Sequence, residues 1–253
     1  QDFDAVMVDS ASGGKATIVN NTVQGYQKGG IVVDGVGPLS TVANNRVFGS
    51  VRSDPALPTP YGIQVNRGAT AKVRSNRVFD NGHTSSGVLS VGILLFEAGA
   101  GTEVTSNTVI GNDTGICVKQ TSGASIEQNN VSDSVFDGIA LDNQDPALTT
   151  NNNTVRKNTV MRNGEGITLF SANNNIVEMN TASNNNGAGL FVSCDDDGTG
   201  CTQPPSSGNA ITKNTANFNG IEGFRDESTG LGTGGTANAY SSNKCNNTGV
   251  EGA

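Results

Sequence analysis

The sequence predicts an all-β solenoid, a parallel β-helix with three short strands in every coil. Three observations predict it. A tetrapeptide centred on asparagine recurs nine times, a glycine followed by a large apolar residue recurs in step with it, and two further columns aligned on the asparagine are apolar and mostly β-branched. Short strand-like units repeated at a near-fixed period mark stacked coils.

The central asparagines are Asn21, Asn45, Asn76, Asn107, Asn129, Asn158, Asn180, Asn214 and Asn243, as in Asn20-Asn21-Thr22-Val23 and Ser106-Asn107-Thr108-Val109. The steps between them are 24, 31, 31, 22, 29, 22, 34 and 29, so the period reads as 22 residues plus insertions. That spacing gives about nine to ten coils. The asparagines fall at a turn, where side-chain amides can hydrogen-bond from coil to coil as a ladder and the residue itself tolerates left-handed backbone.

Each strand has its own column. Three residues before the asparagine stand Ile18, Val42, Val73, Val104, Ile126, Val155, Val177, Ile211 and Tyr240. Two after it stand Val23, Val47, Val78, Val109, Val131, Val160, Ala182, Ala216 and Cys245. The third strand follows the glycine, as in Gly30-Ile31-Val32-Val33, Gly115-Ile116-Cys117-Val118, Gly138-Ile139-Ala140-Leu141 and the degenerate Gly249-Val250-Glu251. Alternation and β-branching suit strands. Coils stacked through their strands rise by about 4.8 Å.

Composition agrees. Gly numbers 34, Trp is absent and aromatics make 5%, too few large residues for a compact globule but enough for a core of stacked Val and Ile. The formal charge of −8 excludes nucleic acid as a partner, and no run is long enough for a membrane span. The repeat runs nearly end to end, so residues 1–253 read as one domain. It has a partial coil at 1–19 and an incomplete one at 243–253, in a trimmed or mature chain without a signal peptide. Open coil ends are sheet edges that invite pairing with identical subunits.

Insertions point to function, because loops on a rigid scaffold carry it. They occur at Ser50 to Pro60, at Asn81 to Ser90, and after Gly138, Gly189 and Gly223, so they flank the Gly-Ile-x-Val strands on both sides. The outward row of that sheet is Val32, Gln64, Leu94, Cys117, Ala140, Thr168, Phe191 and Arg225. It is apolar for a solvated face, and the chain's own loops, a sugar or another subunit would cover it. Tyr61, Gln64, Lys119, Thr168 and Phe191 are the candidate substrate-binding residues.

The residue before each glycine forms a further column containing Asp137, Glu165 and Glu222. Asp137 and Glu165 belong to adjacent coils. Two carboxylates so placed can divide into a protonated and an ionised partner, as glycoside hydrolysis requires. With Arg225 as the nearby cation, these are the candidate catalytic residues. The alternative is plain exposed turn chemistry.

Cys194 and Cys201 bracket the longest insertion and predict a disulfide, hence an oxidising compartment: extracellular, cell surface or periplasm. Cys117 and Cys245 lie about 24 Å apart at five coil rises and cannot pair. Asp195, Asp196 and Asp197 offer oxygen ligands for Ca²⁺, though only the start of a calcium loop is present. No other cofactor is required. One histidine and scattered cysteines give no zinc spacing.

These columns together resemble the right-handed parallel β-helix repeat proteins of the pectate-lyase-like superfamily, including NosD-like and polygalacturonase-like repeats. The resemblance covers roughly Val6 to Gly249. It implies three sheets, with the asparagines at the second turn of each coil and Gly-Ile-x-Val as the first sheet, where family enzymes bind polysaccharide. Phe136-Asp137-Gly138-Ile139-Ala140-Leu141 is similar to the Asp-Asp-Cys-Ile-Ala-Ile segment of the polygalacturonase branch, which carries a catalytic role onto Asp137. Phe136 stands in place of the first aspartate, and that branch's Gly-His-Gly and Arg-Ile-Lys motifs are absent. The expected function is therefore a hydrolase or lyase acting on polysaccharide at the first sheet. The alternative is a non-catalytic surface, adhesion or self-assembling module.

Overall fold

The structure, a computed structural model, describes residues 4–10, 13–54, 56–84, 89–196 and 200–246. Asp197 and the Gly249-Val250-Glu251 segment lie outside the described residues. The chain winds as a right-handed parallel β-helix with three long faces. The first sheet has nine strands, from Val6–Asp9 through Asp137–Asp142 to Phe224–Asp226. The second has nine, from Thr17–Val19 to Ala239–Ser241, and the third seven, from Thr22–Gln24 to Thr181–Ser183. Val51–Arg52 and Gly82–His83 form a small fourth pairing inside the two amino-terminal insertions.

Register follows the sequence columns. Ile31, Ile63, Ile93, Ile116, Ile139, Ile167 and Leu190 align strand to strand, and Val6 pairs with Ile31. These side chains, with the inward columns of the other two sheets, form one continuous core. Fully burying such an aliphatic side chain contributes about 1.5–3 kcal/mol.

The recurring glycine is required by space. A β-carbon on Gly138 would stand 2.3 Å from Val160 Cγ1 and 2.8 Å from the Gly166 carbonyl oxygen. At Gly30, Gly62, Gly92, Gly115 and Gly138 the first sheet comes so close to an inner valine of the third that only hydrogen fits.

Every central asparagine reaches the next. From Asn45 to Asn243, each Oδ1 accepts the preceding coil's asparagine Nδ2–H at 3.0–3.1 Å. It also accepts that residue's backbone N–H at 2.9–3.0 Å. The left-handed residue is not the asparagine, as the sequence suggested, but its predecessor: Asn20, Asn44, Ser75, Ser106, Gln128, Lys157, Met179, Lys213 and Ser242 all have φ between 55 and 59°. The asparagine is drawn inward by its amide bonds, so the strained turn passes to the neighbour.

The other two corners repeat this device, five residues to either side. Asn81–Asn112 and Asn163–Asn185–Asn219 stack at the corner leading into the first sheet. Asn153, Asn175, Asn209 and Asn238 stack at the corner leaving it. On the second sheet, Arg156 lies between Glu127 at 2.8 Å and Glu178 at 3.9 Å, a surface ion-pair row.

Candidate functional site

The first sheet presents Met7, Val32, Gln64, Leu94, Cys117, Ala140, Thr168, Phe191 and Arg225 outward in register. Much of this row is covered by the chain itself. Leu94, Cys117 and Ala140 are buried in a second cluster with Val91, and Tyr61 and Phe96 pack against them. The apolarity that marked the row in sequence thus belongs to a small outer core, whose edges open into clefts.

One cleft, of about 540 Å³, is lined among others by Tyr61, Gln64, Phe96, Lys119, Asp142 and Gln144. It unites three of the five candidate substrate-binding residues. Lys119 Nζ lies 3.4 Å from Asp142 Oδ2 and donates to Gln144 Oε1. Asp142 is 9% exposed, and its Oδ1 has no hydrogen-bond partner. Burial pushes the Asp142 carboxyl upward, against the pull of Lys119. Burial likewise raises the Tyr61 hydroxyl.

A second cleft, of about 430 Å³, lies further along the sheet between Phe170, Phe191, Arg225, Glu227 and the Cys194–Asp196 segment. The Arg225 guanidinium stacks 4.7 Å from the Phe191 ring centre and pairs with Glu227. Phe170 meets Phe191 edge-on at 5.8 Å.

The carboxylate column stands at the first position of the strands Asp137–Asp142 and Glu165–Phe170, and the linings of these two clefts include neither carboxylate. Asp137 and Glu165 are paired in register on adjacent strands, both half-buried. Burial pushes the Asp137 carboxyl up to about 7. The Thr168 hydroxyl opposes this, and the charges of Glu165 and Asp142 add to it. Thr168 is fully buried and its hydroxyl makes no hydrogen bond at ordinary distance. The Glu165 side chain leans toward the following coil, where its carboxylate accepts the Ala188 backbone N–H and lies over Gly187. Burial raises Glu165 as well, against that hydrogen bond and the positive charge of Arg225. Glu222 sits two coils beyond Glu165, linked through the Ala188 and Glu222 carbonyls. No side-chain contact joins it to Asp137 or Glu165.

The longest insertion closes on itself through the Cys194–Cys201 disulfide, with Cα atoms 5.5 Å apart. Cys117 and Cys245 remain thiols. Asp195 Oδ2 accepts the Thr202 hydroxyl at 3.0 Å and Asp196 Oδ1 the Gly200 N–H at 3.1 Å, so both carboxylates already serve the hairpin. Among the described residues no group of three or more His, Cys, Asp or Glu is placed to hold a metal ion. Asp197, the third of the candidate calcium ligands, lies outside the described residues. Just beyond the disulfide, Gln203 Nε2 donates to the Asn143 carbonyl at 2.6 Å, and Asn143 Nδ2 donates to Gln203 Oε1 at 3.1 Å. This clamp ties the insertion to the strand carrying Asp137 and Asp142. The clamp has no signature in the sequence columns; for Asp142, the in-register Lys119 one coil away was the available signal of an ion pair.

No helix among the described residues is long and apolar enough to cross a membrane. Among curated proteins, none matches the sequence. Solved structures share the fold. The periplasmic alginate epimerase AlgG superposes with a TM-score of 0.53 at 16% identity over 87% of this chain and 46% of that one. An alginate lyase from Paenibacillus sp. str. FPU-7 gives 0.50 at 14% identity over 91% and 76%. The Dettilon tailspike protein gives 0.51 at 17% identity over 92% and 55%. The chain thus spans about half the length of the epimerase it resembles. The family described as "right handed beta helix region" matches residues 4–123 and 91–252, and the chain belongs to it.

Proposed function

We propose that the chain cleaves a polysaccharide held along the first sheet, with Asp137 as the proton-transferring group. The observation that carries this reading is Asp137 itself, a half-buried carboxyl raised to about 7 and flanked by a second carboxylate in the next coil. At neutral pH such a group exists in both protonation states and can donate to a leaving oxygen or accept a proton, which general acid–base catalysis favours. Glu165 or Glu222 supplies the second carboxylate of a hydrolase. Arg225 favours the ionised form of Glu165. Tyr61, Gln64 and Lys119 on one side and Phe191 on the other hold sugar rings. The alginate epimerase and lyase lend the reading fold-level analogy, and the disulfide suits an extracellular, cell-surface or periplasmic site.

The test is a polysaccharide panel assayed for new reducing ends and for the ultraviolet absorbance of unsaturated ends. Turnover by the parent chain that is lost in Asp137→Asn supports the reading, and turnover surviving that substitution ends it. One observation favours a second reading, a binding or self-assembling module without turnover: the Glu165 carboxylate is seated on the following coil rather than facing Asp137. Glycan binding, or association of copies in light scattering, with no cleavage on any substrate would select it.

A further inference from the structure

Three of the eight arginines have no side-chain partner among the described residues, and the three stand together. Arg67, Arg156, Arg162 and Arg225 each pair with a carboxylate, and Arg52 donates to the Tyr26, Gln27 and Pro58 carbonyls. Arg46 and Arg77 are exposed and directly opposite each other on the outer face of the third sheet. Arg74 is exposed at the end of its second-sheet strand, across the Ser75–Asn76 turn from Arg77. Their other in-register neighbours are Thr22, Ala43, Thr105 and Thr108, all uncharged. Of the adjoining carboxylates, Glu103, diagonal to Arg74, pairs with Lys72 at 3.2 Å, and Asp80 lies over Gly111 in the next coil.

Like charges directly opposite in a sheet destabilise it. The fold does not ask for arginine here, since Thr22, Thr108, Thr159, Thr181 and Thr215 fill the same column in other coils. Two residues on, facing the same way, Phe48 and Phe79 are half-buried and stack with ring centres 5.2 Å apart and planes at 14°. Val51 extends this apolar bank and is 63% exposed. Apolar atoms lower the local dielectric and strengthen an ion pair made beside them. A guanidinium offers a planar fork of donors that matches carboxylate and phosphate. Of such anions a phosphate monoester brings the most charge, about −1.5 to −2 at neutral pH, and three acceptor oxygens to set against three arginines. The two phenyl rings are spent on each other and half-buried, whereas insertion into a membrane needs apolar side chains that project. We infer that Arg46, Arg74 and Arg77, with the Phe48–Phe79 stack, form a binding site for a phosphate monoester carried on a glycan, the sugar ring packing against the phenyl bank.

The site is on the third sheet and implies no turnover, so it stands or falls apart from the first-sheet reading. A mannan bearing phosphate monoesters, the same mannan after phosphatase treatment, dextran sulfate and phosphatidylglycerol vesicles are titrated onto the protein. The phosphomannan is expected to bind roughly tenfold or more tightly than the other three, more weakly as salt rises and more strongly from about pH 5 to 7 as the ester takes its second charge. Arg46→Thr with Arg77→Thr is expected to cut that binding by about tenfold or more while Tm holds or rises, because the column regains its usual residue and loses a like-charge contact. Arg74→Thr, the residue of the next coil, is expected to weaken it several-fold and serves as the test should the double variant fold poorly. Arg162→Gln, at an exposed arginine already paired with Asp133, is expected to change nothing. No binding of the phosphomannan, binding that survives the arginine substitutions, or an equal loss in Arg162→Gln overturns the site. Dextran sulfate or the dephosphorylated mannan binding as tightly overturns the phosphate assignment, and vesicles binding in preference overturn the glycan and make this face a membrane contact.

Discussion

Asp137 and Glu165 occupy the same register position on neighbouring strands, yet their carboxyl groups answer to different surroundings. Asp137 is shaped chiefly by burial, with only the Thr168 hydroxyl opposing it. Glu165 is anchored forward on the Ala188 N–H and feels Arg225. A shared column has thus produced two carboxylates of unlike character, because side chains reach past the register that places their backbones.

The first prediction concerns pH. The folded chain holds the Asp137 proton up to about 7, whereas the unperturbed value is 3.8. The native state therefore binds this proton more tightly than the unfolded chain. Its contribution to stability is fully present below about pH 4, falls as pH rises toward about 7, and is flat above. Asp137→Asn removes this slope and is expected to raise Tm by a few degrees at pH 8 (about 2–4 °C per kcal/mol for a chain of this size). In the same variant turnover is expected to fall by about 10²–10⁴-fold with loss of the pH-rate limb near 7. Thermal scans and kcat/KM across pH check both. A Tm profile identical to the parent's would show that Asp137 is not the strained acid.

Gly187 is the seat of Glu165. A β-carbon there would stand 2.1 Å from Glu165 Oε1, and the backbone is in ordinary negative-φ conformation, so the collision is with a movable side chain. Gly187→Ala is expected to dislodge the carboxylate from Ala188 while leaving the coil folded. If Glu165 works from its present position, kcat falls by roughly tenfold or more with little change in KM, since misplacement of a reacting group is felt mainly in the chemical step. Unchanged kcat would remove Glu165 from the mechanism and leave Glu222 as the second carboxylate.

The asparagine stack gives a stability prediction with its own control. Asn129 is 1% exposed and accepts two hydrogen bonds from Asn107 while donating to the Val104 carbonyl and to Asn158 Oδ1. Asn129→Ala strands several buried groups at once, and each costs about 1–3 kcal/mol. A loss of at least about 3 kcal/mol in urea unfolding is expected. Asn21, exposed at the first coil with this stack, is expected to cost under about 1 kcal/mol on the same change. Equal losses would mean that the stack adds nothing beyond turn propensity.

The same residues explain what the sequence could and could not convey. Two strand columns are legible because Ile126 and Val131 hold offsets from Asn129 that recur in every coil, while the column of Ile139 shifts with the insertions and is marked instead by the glycine before it. The flanking asparagine stacks are obscured where other residues take the position, as Ser134 and Ala124 do in that very coil. The glycine's purpose is invisible in one dimension, since Gly138 answers to Val160, 22 residues away. For the site, the outward row and the Asp137–Glu165 pairing follow from register alone. The direction of Glu165, the unpartnered Asp142 oxygen and the Gln203–Asn143 clamp depend on side-chain torsions and loop paths, which periodicity does not encode.

The last prediction tests that clamp. Closing the short loop between Cys194 and Cys201 contributes about 2–3 kcal/mol by restricting the open chain. Its structural effect is local, because the hairpin adds nothing to the continuous core. Its geometric effect extends further: it fixes Thr202 on Asp195 and Gln203 on Asn143, next to Asp142. Cys194→Ser with Cys201→Ser is therefore expected to raise amide exchange through Thr202 and Asn143 while the strand amides of Asp137–Asp142 and Glu165–Phe170 stay protected. Burial is the main cause of the raised Asp142 carboxyl and Asp195 adds to it, so loosening the hairpin is expected to lower Asp142 slightly while leaving it above its ordinary value. Hydrogen exchange read by mass spectrometry and an NMR titration of the Asp142 carboxyl measure the two effects separately. Exchange spreading uniformly along all three sheets would show that the disulfide supports the solenoid as a whole rather than the rim of its first-sheet clefts.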